Sequence, residues 1–117
     1  MSDLKTRIAA QFGGADTREI EVPEWGEGAT PLIVHYRRAN LRDISEATQL
    51  AKGDQFLANA YLVTAKALDA AGKPLFKRVD AGFLAESADP AVVGRIAQAI
   101  TGGDVLSAEA IKAAEGN

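Results

Sequence analysis

Hydrophobic positions recur at helical spacing over most of the chain and alternate with polar ones in two short stretches near its start. The longest apolar run free of Gly and Pro extends from Gln55 to Leu68. Phe56, Ala60, Val63 and Ala67 form one stripe, and Leu57, Tyr61, Thr64 and Leu68 a second beside it, which predicts a helix buried over most of its circumference. Asp54 stands where a helix cap is expected, and Gly72 followed by Pro74 is a stop, because Gly tolerates a left-handed turn and Pro cannot continue a helix.

The remaining elements are read against that helix. Ser2 or Asp3 caps a short N-terminal helix with Leu4, Ile8 and Phe12 (or Gln11) on one side and Lys5, Thr6 and Arg7 on the other, ended by Gly13-Gly14. Such an arm either packs on its own domain or contributes to self-association. Ile20 and Val22 alternate with Glu19 and Glu21 from Arg18 to Val22, where Pro23 halts the ladder. Leu32, Val34 and Tyr36 alternate with Ile33, His35 and Arg37 in a second strand. The intervening PEWGEGATP suits a long loop joining them as an antiparallel hairpin, which must lie on the helices or gain strands from another subunit. Asn40 caps a helix to Lys52 with Leu41, Ile44, Ala47 or Thr48, and Ala51 inward, and with Arg42, Asp43, Glu46 and Gln49 outward. After the turn, Leu75 and Phe76 form a short extended piece, and Val79 to Ala85 a brief helix that brings Phe83 and Leu84 to the core. Asp89 with Pro90 opens a further helix carrying Val92, Val93, Ile96 and Ile100, stopped by Gly102-Gly103. A last helix from Ser107 to about Ala114 has Leu106 and Ile111 to bury and is expected to be loosely held.

The expected fold is therefore α+β: one mainly helical domain of four to six helices with a small N-terminal antiparallel hairpin. Its parts are an arm over 1–14, the hairpin over 18–37, a helical core over 40–101 and a C-terminal helix over 102–117. The length of 117 residues suits one domain, since folding at this size removes about two thirds of the chain's surface from water. No cysteine is present, so a disulfide framework, a thiolate nucleophile and a Cys-based metal site are excluded. A formal net charge of -3 points away from binding along a phosphate backbone, and no run reaches the roughly 18 apolar residues of a membrane span. The expected location is intracellular.

Catalytic constellations are sparse. The single histidine, His35, has no Ser, Cys or carboxylate at a triad or metal-pair spacing. Glu19, Glu21, Glu24 and Glu27 gather around the hairpin, where alternation makes them a solvated face. Gly26-Glu27-Gly28 and Gly102-Gly103-Asp104 read as turns, not phosphate cradles. Basic residues Arg37, Arg38, Lys73, Lys77 and Arg78 lack the interleaved aromatics of a single-strand binder. No catalytic residue, metal ligand or cofactor site is expected. What remains is Trp25 in a loop, which either anchors a protein interface or covers its own core, together with the apolar strand residues Leu32, Val34 and Tyr36 as candidate protein-binding positions.

Taken together, EVPEWGE in the hairpin, an apolar helix leading into LDAAGKPLF, and a helix beginning DPAVVGRIAQAI resemble the small tail assembly chaperones of tailed bacteriophages and prophages. The resemblance runs from about Glu19 to Ile100. It rests on Pro23, Trp25 and Gly26 before a strand, on Asp69, Gly72, Leu75 and Phe76 closing the central helix, and on Asp80, Leu84 and Asp89 beyond. The turn Asp69-Ala70-Ala71-Gly72 is less acidic than the family's Asp-x-x-Gly, and nothing after Thr101 corresponds. The resemblance implies a protein that is not an enzyme. It would bind the long apolar tape measure protein and keep it in solution until the tail tube protein polymerises around it. It implies a homo-oligomer in the host cytoplasm, absent from the finished virion and made in some phages also as a longer frameshifted form; charge and hydropathy, as above, put neither nucleic acid nor membrane among the expected partners. A structural virion protein of the tail or head-tail connection is the alternative, and a small enzyme using the hairpin carboxylates with His35 is a third.

Overall fold

A computed structural model describes residues 2–12 and 17–102 and has an α+β architecture. Among the described residues the order is α1 (Ser2–Phe12), β1 (Arg18–Glu27), β2 (Thr30–Tyr36), α2 (Leu41–Leu50), α3 (Gln55–Lys66), β3 (Ala67–Leu68), α4 (Asp80–Ser87) and α5 (Pro90–Ile100). No helix among them is long and apolar enough to cross a membrane. The stop at Gly13-Gly14 and the C-terminal helix expected from Ser107 lie outside the described residues.

Helix α3 is the hub, packed against α2, α4 and α5, with α5 also touching β1. Its start is fixed by Asp54, whose carboxylate accepts from the Phe56 and Leu57 N–H groups at 3.0 and 3.2 Å. Those are two of the four donors that a helix N-terminus leaves without intrahelical partners. The buried face is Ala58, Ala60, Leu62, Val63 and Thr64, with Leu57 and Tyr61 half-buried. Phe56, expected inward, is 75% exposed, because it sits in the first turn beyond the edge of the core. The helix also ends sooner than periodicity suggests. Ala67 adopts φ -75°, ψ 132°, and Ala67 and Leu68 pair with Tyr36 and His35 as a third strand. A tertiary ladder has taken two residues whose local preference is helical.

The sheet order is β1-β2-β3, antiparallel throughout. Register pairs Ile20 with Val34 and Val22 with Leu32 on the face toward the helices, and Glu19 with His35 and Glu21 with Ile33 on the other. Period-2 alternation thus sorts the two faces as the sequence indicates. Pro23 does not end β1. The strand continues to Glu27, and residues 23–26 stand opposite Pro31 alone in a wide irregularity on an edge strand, a place that tolerates proline. The expected long loop is therefore strand plus a tight connection through Gly28 (φ +57°). Gly26 is required by close approach: a Cβ there would lie 2.8 Å from the Pro31 Cα and 2.9 Å from the Leu32 N, and would collide with the Thr30 carbonyl oxygen.

Helix α2 opens with a reciprocal cap, in which the Asn40 side chain accepts from the Asp43 N–H and the Asp43 carboxylate accepts from the Asn40 N–H, both at 2.9 Å. Ala47 and Ala51 are buried and Ile44 half-buried, whereas Leu41, in the first turn, faces water. In the α3–α4 connection the Asp69 carboxylate accepts from the Ala71 and Lys73 N–H groups at 2.8 and 2.9 Å, and the Leu75 N–H donates to the Ala67 carbonyl at 3.0 Å. That staple returns Leu75 and Phe76 to the core. Helix α4 buries Ala81 and Leu84 but leaves Phe83 65% exposed; one short helix against α3 covers a single narrow face, and Phe83 lies off it. Helix α5 begins at the expected cap, with Asp89 accepting from the Ala91 N–H at 2.9 Å, and buries Val92, Val93, Ile96, Ala97 and Ile100.

Candidate functional site

The strand residues singled out by sequence as partner contacts lie largely inside the molecule. Val34 is 0% and Tyr36 8% exposed, because β2 is the central strand and its apolar face is roofed by helices. Neither side chain is available to a partner, which corrects the expectation for both. Leu32 is half-buried on the same face. Trp25 is half-buried too, its ring meeting Phe76 edge to face at a centroid distance of 6.2 Å and 76° between planes. Of the two roles open to Trp25, cover for its own core is the one its packing displays. The motif residues Pro23, Gly26, Asp69, Gly72, Leu75 and Phe76 converge on that contact: the β1 irregularity delivers Trp25, and the Asp69–Gly72 turn (Gly72 φ +83°) delivers Phe76.

The hairpin carboxylates Glu24, Glu19 and Glu21 face different partners. Glu24 forms a two-pronged ion pair with Arg95 on α5, at 3.0 and 2.7 Å. The Arg95 hydrogen bonds hold its carboxyl below the usual carboxylate range, and the same bonds raise Arg95. Glu19 faces His35 across the strands at 3.9 Å, and Glu21 stands opposite Ile33. Among the described residues no group of three or more His, Cys, Asp or Glu side chains is placed to hold a metal ion. A second ion pair joins α2 to α3, with Lys66 Nζ 2.9 Å from Asp43. Partial burial pushes the Asp43 carboxyl up, but the Asn40 N–H and the Lys66 ammonium together outweigh it and hold it below its ordinary value.

Two further features stand out, a groove that sequence did not mark and the N-terminal arm that it did. A groove of about 220 Å³ opens between the start of α3 and the α4–α5 junction, lined by Phe56, Leu57, Ala60, Ala85, Ala88 and Val93 among others. Its lining is mainly apolar, and Asp54 is its one charged residue. Helix α1 is the other feature. Residues 3–11 are all exposed, with Leu4 at 55% and Ile8 at 59%, while Phe12 tucks under the Arg38 guanidinium at 5.2 Å from ring centroid to Cζ. That cation–π contact anchors the arm beside Gly102, where α5 ends. Groove and stripe each leave apolar surface uncovered among the described residues; helical spacing announced the stripe, whereas the groove depends on how three helices diverge.

No protein-family model, curated protein or solved structure matches the chain.

Proposed function

We propose that this protein is a non-catalytic binding protein of the tail assembly chaperone kind, which holds an apolar helical client, the tape measure protein, until the tail tube protein assembles around it. The observation that carries the reading is the apolar groove between α3, α4 and α5 with Phe56 exposed on its wall. An amphipathic helix of a client lays its apolar side into such a groove, and the exchange needs neither a titrating pair nor a cofactor. The proposed contact surface thus moves from the hairpin to the groove, and Trp25 becomes one of the residues that hold the groove's scaffold. The reading places the chain in the host cytoplasm and outside the finished particle.

Co-expression with the tape measure protein of the same gene cluster tests it. The client is expected to move from the pellet to the supernatant and to co-elute with the chaperone on gel filtration, and Phe56→Asp is expected to abolish both effects while leaving the fold intact. An unchanged pellet with no complex sinks the proposal. Recovery of the chain in many copies from purified particles would instead assign it to the virion structure.

A further inference from the structure

We infer that the client site continues from the groove beside Phe56 along α3 into a second hollow, where Arg78 and Glu46 select the charges of the bound helix. The inference rests on the client-binding reading and names the class of helix taken: an apolar stripe with a carboxylate on one side and a basic side chain on the other. The second hollow, of about 300 Å³, lies between α2, the later part of α3 and the α3–α4 connection. Tyr61, Thr64 and Ala65 of α3 line it, with Glu46 and Leu50 from α2 and Arg78 from the connection. Leu57 lines the first groove and Tyr61 the second hollow, and residues four apart on a helix share a face. The two depressions therefore follow one another on one side of α3. From Phe56 to Ala65 that side runs about 14 Å at 1.5 Å per residue, enough to lie along about two and a half turns of a client helix.

Charge distinguishes the two ends of this trough. In the first groove the one charged lining residue, Asp54, is engaged by the first N–H groups of α3 itself. In the second hollow Asp43 is held by Lys66 and by the Asn40 N–H, both at 2.9 Å. Arg78 and Glu46 differ: both are exposed, and among the described residues neither forms an ion pair with the other or with any further group. Asp80, the carboxylate next along the chain from Arg78, is turned to the Lys77 N–H at 2.8 Å. A cation and an anion from separate elements thus border one hollow unpaired, with Leu50, 40% exposed, as apolar surface beside them. Rim charges of this kind set the rate and salt dependence of association and reject segments of the wrong charge, while the apolar floor supplies affinity.

The probe is a set of overlapping, fluorescently labelled, helix-length peptides covering the tape measure protein of the same gene cluster, titrated by anisotropy. The tightest binders are expected to carry a carboxylate and a basic residue flanking an apolar stripe, and Phe56→Asp to abolish their binding. Arg78→Glu is expected to weaken them about five- to tenfold with unchanged circular dichroism, and Arg78→Gln to flatten the salt dependence. Replacing the peptide's carboxylate by Lys should restore binding to Arg78→Glu, which a merely structural role for Arg78 would not do. Binding that Phe56→Asp abolishes and Arg78→Glu leaves unaltered overturns the inference while the client reading stands. So does an equal loss on Arg78→Glu for peptides with and without the carboxylate. If no peptide binds the wild type, the client reading falls and the inference with it.

Discussion

Helices α1 and α5 are each 11 residues long and each carries apolar side chains at helical spacing, yet α5 is buried along one side and α1 is exposed along its length. The difference lies in stripe width. Helix α5 presents Val92, Val93, Ile96, Ala97 and Ile100, a face broad enough to be enclosed, and its alanines let α3 come close. Helix α1 offers Leu4 and Ile8, one turn apart, between Lys5 and Arg7. A broad stripe specifies a core, whereas a narrow seam between charges specifies a contact.

The strongest way to break this comparison is to delete the same atoms from both helices. Ile96→Ala, at a fully buried position, is expected to lower the unfolding free energy by about 2–5 kcal/mol in urea denaturation, a large part of a typical domain's stability. Ile8→Ala, measured at dilutions where self-association is negligible, is expected to change it by no more than about 0.5 kcal/mol. Equal losses would show that α1 belongs to the core. A smaller effect sharpens the contrast at the helix starts. Asp89→Ala removes the cap of α5 and should cost about 1 kcal/mol, seen as a drop in Tm of roughly 3–6 °C, whereas Asp3→Ala in the first turn of α1 should leave Tm in place.

The smallest effect is a pH dependence confined to the body. The folded Asp43 carboxyl titrates below its unfolded value, so the stability it contributes is complete above the ordinary carboxylate range and is lost as pH falls through the folded value. Asp43→Asn is expected to make the acid limb of the stability curve shallower, by at most about 1 kcal/mol for a pair this near the surface. Hydrogen exchange in α1 should not follow that titration, because the Asp43–Lys66 bridge joins α2 to α3 and leaves the arm out.

Caps were the most legible part of the chain. Asn40, Asp54 and Asp89 each stand where their side chains accept backbone N–H bonds, because capping is a local interaction between neighbours in sequence. Strand alternation likewise sorted Val22 and Val34 from Glu19 and Glu21. Legibility failed where a third element decides the outcome. Leu41, Phe56 and Phe83 carry the right period but sit beyond or beside the contact zone of their helices, and period alone does not say how far a neighbour extends. Ala67 and Leu68 continue a helical pattern in sequence, yet the open edge of β2 captured them. The groove was invisible for the same reason: its walls come from three helices, and no spacing within one of them encodes their separation.

The outer edge of β1, which no strand pairs among the described residues, has a consequence for handling. Its Glu19 and Glu21 are exposed, Pro23 offers no N–H, and residues 23–26 break the register, so an incoming strand finds neither a flat template nor a continuous row of donors. Charge, proline and broken register each disfavour the strand stacking from which fibrils grow. An edge so interrupted lets a chain that leaves Leu4, Ile8, Phe56 and Phe83 exposed do so without also offering a strand template for stacking.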